Sequence, residues 1–294
     1  MLKGLLCQRP TVTVQKMPTT GSSTNKESVD TSGADPVWER ILLETREQAE
    51  TEPSLASFLH ATILNHETLE GALSFHLANK LANPAISALQ IREIIEDAII
   101  RQCTIADAVR ADIRAIYERD SACNMYSLPF LYFKGFHALQ AHRVAHCLWN
   151  HDRKALAYFL QSHISMVFGV DIHPAAKIGK GIMLDHATGI VIGETCVIED
   201  DVSIMQSVTL GGTGKEGGDR HPKVRRGSLI SSGAKILGNI EIGEGAKIGA
   251  GSVVLEDVPA HTTVVGVPAK AVGKPRSVSP ALEMNQGINC DCDW

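Results

Sequence analysis

The sequence predicts an α+β chain in which an all-α N-terminal domain is followed by a parallel solenoid of hexapeptide repeats. Three observations carry this reading. Apolar residues up to about position 165 recur at helical spacing, and aliphatic residues beyond Val170 recur every six positions. The 25 glycines are unevenly spread and aromatic residues make up only 5%, as expected where small aliphatic units stack to form the core.

Composition excludes several classes. With 28 Lys and Arg against 33 Asp and Glu the net charge is −5, so the broad basic face that nucleic acid needs is absent. The longest uncharged apolar stretch, Ala155 to Val170, is too short to span a bilayer and contains Gln161, Ser162, His163 and Ser165. It reads as a buried or interface helix, and no membrane association is expected. Seven scattered cysteines without a CxxC pair fit neither a zinc ribbon nor a disulfide scaffold, which points to a reducing compartment.

Residues 1–35, rich in Ser, Thr, Gly and Lys, are expected to be a disordered extension. Its basic bias gives an organelle as the alternative to a cytoplasmic location. Residues 36–165 form the helical domain. Asp35-Pro36 reads as an N-cap and first turn. Leu69, Leu73, Leu77 and Leu81 line one helix that Asn83-Pro84 ends, and Ile91, Ile94, Ile95, Ala98 and Ile99 line the next. Residues 166–275 form the solenoid. One train runs through Ile172, Ile178, Leu184, Ile190, Cys196, Val202 and Val208, and a second through Val224, Ile230, Ile236, Ile242, Ile248 and Val254. Between them the Gly-rich loop 211–223 leaves the coil. Its resemblance to a P-loop fails at Thr209 and Glu216. Residues 276–294 are expected to be a flexible tail.

Four segments closely resemble the serine O-acetyltransferases, a family of hexapeptide acyltransferases: 171–179, Leu184-Asp185-His186-Ala187-Thr188-Gly189, 208–215 and Gly218-Asp219-Arg220-His221-Pro222-Lys223. Matches in the helical half, at 55–58, 77–81 and 134–141, extend the resemblance over roughly residues 37–275. It implies a left-handed parallel β-helix, a hexamer built as a dimer of trimers, and acetyl transfer from acetyl-CoA to L-serine in cysteine biosynthesis. Acetyl-CoA is then a co-substrate, with no permanently bound cofactor and no metal.

Deprotonating a primary alcohol suits neutral histidine. His186, two positions past the inward Leu184, should leave the coil and act as general base. The resemblance makes Asp171 its orienting partner. A coil of three hexapeptides would stack Asp171 on Gly189, three residues past His186, leaving a gap for a corner or a neighbouring subunit to close. Serine carries two opposite charges. Arg220 can grip its carboxylate with His221 as a further donor, and the family pattern gives Asp185 and Asp120 to its ammonium. The turn at Gly212 can present backbone N–H groups to an oxyanion, and small residues near Ser232 and Ala250 can admit CoA. L-Cysteine, sharing serine's charged groups, is the expected feedback inhibitor. Family members commonly dock a C-terminal isoleucine in O-acetylserine sulfhydrylase. Here the chain ends in Trp294, so weak or absent docking is expected. Three rival readings are a metal protein using His173, His186 and His221, a hexapeptide acetyltransferase for another hydroxyl acceptor, and a trimerising scaffold. Against the first, His173 lies in a motif that the acetyltransferases share and Arg220 would oppose a cation; against the second stands the helical domain with Asp120; against the third stands the joint presence of Asp171, Asp185, His186, Arg220 and His221.

Overall fold

The computed structural model describes residues 35–215 and 217–288. The expectations for residues 1–34 and for Trp294 fall outside them.

Eight α-helices and one π-helical turn (His60–Leu64) precede the solenoid among the described residues: α1 (Pro36–Thr51), α2 (Pro53–Leu59), α3 (Leu69–Leu81), α4 (Ala88–Arg101), α5 (Thr104–Arg119), α6 (Ser127–Tyr132), α7 (Lys134–Asn150) and α8 (Lys154–Phe168). Asp35 caps α1 through Oδ1, which accepts from Val37 N and Trp38 N at 3.2 and 3.3 Å. The leucine stripe of α3 is buried, as are Ile91, Ile95 and Ala98 of α4.

From Val170 the chain winds through three sheets that form the sides of a prism, parallel throughout except where Ala269–Gly273 adds an antiparallel edge to one of them. One ladder stacks Ile172, Ile192, Leu210, Ile236 and Val254. The other two begin at Ile178 and Leu184. The expected first train needs a phase correction after Leu184, because the next inward position is Ile192, eight residues on. Ile190, Cys196, Val202 and Val208 are buried too, each two residues before the ladder position. Alternate residues of a strand face the same side, so both positions look apolar in sequence. Asp171 therefore pairs with Val191 and not with Gly189. The loop 212–222 leaves the prism between strands Thr209–Gly211 and Lys223–Val224.

Residues 276–288, expected to be flexible, are tied down. They include the short helix α9 (Pro280–Glu283), where Ala281 is fully buried. Its N–H donates to Gly227 O at 3.1 Å and its carbonyl accepts from Ser203 Oγ at 2.9 Å. Lys247 Nζ donates to Gly287 O at 2.6 Å. So short an apolar segment has no period for a sequence reading to find.

The helices meet the prism through buried polar groups. Asp112 of α5 is fully buried and pairs with Arg143 of α7 at 2.7 Å. Its other oxygen accepts from Ile182 N at 2.9 Å, and Gln140 Nε2 donates to the Arg143-bound oxygen at 2.9 Å. Arg143 also donates to the carbonyls of Ile178 and Gly179 at 3.2 and 2.8 Å. Arg119, at the end of α5, donates to Gly181 O at 2.9 Å and Ser203 Oγ at 3.2 Å. Truncating Asp112 would leave the Arg143 guanidinium buried and unpaired. Asp112→Ala should therefore lower the free energy of urea unfolding by about 3–5 kcal/mol. A loss below about 1 kcal/mol would show that this seam does not hold the domains together.

Candidate active site

Two corners of the prism carry the expected side chains. The corner after strand Met183–Asp185 holds residues 186–189. His186 and Ala187 take positive φ values of 53° and 60°, a conformation that costs L-residues of order 1–3 kcal/mol each. This corner holds the two residues beyond the normal period. Neighbours maintain it: Gly189 N donates to Gly169 O at 2.7 Å, and Lys134 Nζ donates to Thr188 Oγ1. The N-terminus of α7 packs so closely that a side chain at Gly135 would lie 2.1 Å from Leu184 O.

The result is a projecting imidazole. His186 is 72% exposed, and its Nδ1 faces Asp185 Oδ1 at 3.7 Å. Burial pushes the Asp185 carboxyl above its ordinary range; the imidazole opposes this, while the charge of Asp120 adds to it. Asp120, at the C-terminus of α5, accepts from Ala122 N at 2.8 Å. Two carboxylates thus act on one another at this corner, where a bound cation would relieve their repulsion.

Asp171 is elsewhere. It lies on the first strand, where it accepts from Gln161 Nε2 at 2.7 Å. Among the described residues, Asp185 is the only carboxylate within 4 Å of the His186 ring.

The corner that follows strand Ile190–Ile192 collects the loop residues. Arg220 pairs with Glu194 at 2.6 Å, which holds the Glu194 carboxyl below its ordinary range. Thr195 Oγ1 accepts from Arg220 N at 3.0 Å and His221 N at 3.1 Å. The His221 ring packs over Gly193, and burial lowers its pKa, assisted by Arg220. His173 stands in the same electrostatic neighbourhood, edge-on to Trp149 and Tyr158 at 5.1 and 5.6 Å. Gly212 closes this corner, where an added Cβ would fall 3.7 Å from His221 Nε2. Ser232 and Ala250 belong to the His186 edge: Ser207 N donates to Thr188 O, Gly233 N to Gln206 O and Gly251 N to Ser232 O, each at 2.8–2.9 Å. A strip of small residues thus runs down the prism from His186.

Gly193, Glu194 and Thr195 are not among the residues that the sequence alone points to. The signal was their place in the ladder: one coil before the loop, a turn tripeptide sits beneath Arg220-His221.

The family model "Serine acetyltransferase, N-terminal" matches residues 37–141, and "Bacterial transferase hexapeptide (six repeats)" matches residues 221–256. The chain is 62% identical over 253 residues to "Serine acetyltransferase" of Escherichia coli strain K12, covering 86% of this chain and 93% of that one. The counterpart in Haemophilus influenzae is 61% identical over 250 residues, covering 85% and 94%. The crystal structure of serine acetyltransferase from Vibrio cholerae superposes with a TM-score of 0.85 at 62% identity, covering 86% of this chain and 98% of that one. The chain belongs to the serine acetyltransferase family. Related serine acetyltransferase structures include complexes with cysteine, with CoA and, from Neisseria gonorrhoeae, with serine.

Within this serine acetyltransferase fold, Gly193 is required by close approach. An added Cβ would stand 2.1 Å from His221 Cδ2 and Nε2, whereas at Gly212 the nearest atom is 3.5 Å away. Gly193→Ala should cost about 1–3 kcal/mol in urea unfolding, and Gly212→Ala under about 0.5 kcal/mol. Equal effects would contradict the packing of His221 on Gly193.

Proposed function

We propose that this chain transfers the acetyl group of acetyl-CoA to the hydroxyl of L-serine, giving O-acetyl-L-serine and CoA in cysteine biosynthesis, with His186 as general base. The observation that carries the assignment of the base is its corner: an exposed imidazole held in a strained turn, its Nδ1 facing Asp185, beside a second carboxylate, Asp120. With Nδ1 turned to Asp185, Nε2 is free to take the serine hydroxyl proton as the oxygen attacks the thioester carbon. The proton then passes to the departing CoA sulfur. Asp185 and Asp120 receive the serine ammonium, and Arg220 with His221 receives its carboxylate. Backbone N–H groups at Gly211-Gly212 stabilise the oxyanion, and CoA lies along the edge marked by Ser232 and Ala250.

These roles require both corners at one site, although they lie at different edges of the prism. We infer that the site is completed between neighbouring copies, so that Asp171, Arg220 and His221 of one protomer face His186 of the next. An apolar surface supports this. Tyr158, Met166 and Val167 of α8 are 48%, 68% and 47% exposed, and Val191 beside Asp171's strand is 39% exposed. The trimer, paired into a hexamer, covers them.

Cysteine offers the same ammonium and carboxylate as serine and should occupy the same groups. His186→Ala should lower kcat by about 10²–10⁴-fold without changing the oligomer seen by light scattering. Retention of turnover within threefold of wild type would remove His186 as the base. Inhibition by cysteine should be competitive with serine in steady-state kinetics. Indifference to serine concentration would place cysteine elsewhere.

A further inference from the structure

Thr195 makes four hydrogen bonds to the Arg220-His221 pair. Its Oγ1 accepts two backbone N–H groups, those of Arg220 and His221, at 3.0 and 3.1 Å. Amide N–H groups can only donate, so both lone pairs of the hydroxyl are taken and its hydrogen must be given away. His221 Nδ1 lies 2.9 Å from Oγ1. Thr195's own backbone N–H also points at Nδ1, at 3.2 Å. A ring nitrogen that faces two hydrogens cannot carry a third.

From this satisfaction argument we propose that Thr195 is a positioning residue that locks His221 as a neutral imidazole with its hydrogen on Nε2. His221 is then a fixed hydrogen-bond donor and never a base. Its Nε2 lies near Gly212, where an added Cβ would fall 3.7 Å away, while Gly193 lies beneath the ring. The proposal rests on the reading above that Arg220 and His221 receive the serine carboxylate, for which a neutral donor of fixed direction is what the acceptor needs.

The surroundings act in the same direction on balance. Arg220 and Lys223 oppose a positive charge on the ring, as does His173 when protonated, while Glu194 favours one. Asp219 also feels the ring's charge and competes for the Thr195 hydroxyl hydrogen, but Lys223 Nζ holds that carboxylate at 2.6 Å. Burial comes first among the causes that lower the His221 pKa. Even with the hydroxyl drawn toward Asp219, the Thr195 N–H would keep Nδ1 an acceptor.

Two measurements on the intact oligomer test this. Neutron diffraction from deuterium-exchanged crystals near pH 7 should show deuterium on His221 Nε2 and none on Nδ1. Deuterium on Nδ1 would overturn the lock. In kinetics, Thr195→Val removes the hydroxyl and loosens the ring, and should raise the KM for serine about tenfold with a smaller effect on kcat, equivalent to one ordinary hydrogen bond. Thr195→Ser should stay within about twofold of wild type. A Ser variant as poor as Val would make Thr195 a packing residue only. If the neutron map shows the lock while KM is unchanged in both variants, the lock stands. The placement of serine's carboxylate at His221 then falls.

Discussion

The buried Asp112–Arg143 pair is the constraint on which the rest of the arrangement depends. A fully buried carboxylate survives only if its charge is met from several sides, and Asp112 is met by a guanidinium, an amide side chain and the Ile182 N–H. Those partners belong to α7 and to the prism, so Asp112 joins two helices and a corner at one point. The consequence runs outward in both directions. Ile182 leads directly into the strand that ends at Asp185, and α5 continues for two more turns to Asp120. Apolar contact alone would let a helix slide on a prism. Directional bonds to named carbonyls of Ile178, Gly179 and Gly181 fix its register. Asp120 can be placed beside Asp185 with a useful tolerance only because of that.

The two extra residues at the His186 corner have the opposite character. A regular hexapeptide coil already turns alternate strand residues such as Lys177 and Val191 outward, and the break in period adds a corner that carries His186. The break sets two consecutive non-glycine residues at positive φ, and the surrounding contacts from Gly169, Lys134 and the close α7 terminus hold what the turn alone would not adopt. Rigid coils above and below then keep the projecting ring in one place, which suits a group that must meet a hydroxyl at hydrogen-bond distance.

Much of this was legible in the sequence because it is periodic. The leucine stripe of α3, the Asp35 cap and the six-residue repeat each follow from a rule that acts over neighbouring residues. The phase slip was not legible, since Ile190 is as apolar and as buried as Ile192 and only the ladder tells them apart. The Asp112–Arg143 seam was missed because a buried ion pair between residues 31 apart leaves no local pattern. The candidate catalytic and substrate residues were found through family resemblance more than through spacing. Glu194 and Thr195 were missed because their importance comes from lying one coil away from Arg220-His221, and an intervening loop hides that register. The binding down of residues 276–288 was invisible for the same reason as the seam.

The histidines of the two corners differ in what their Nδ1 atoms meet, and this separates their chemistry. His221 Nδ1 meets the Thr195 hydroxyl and N–H, and His173 Nδ1 meets the Ala175 N–H at 3.1 Å. A hydrogen pointed at Nδ1 places the ring's own proton on Nε2 and opposes a second one, so neither ring can accept a proton at the face it turns outward. His186 Nδ1 meets a carboxylate. A negative charge there stabilises the positive charge that the ring takes on as it removes a proton, and leaves Nε2 open to do so. Among the described residues, only His186 of these three rings has a carboxylate within 4 Å. The assignment of the base thus rests on the partners of the other two rings as much as on the exposure of His186 itself.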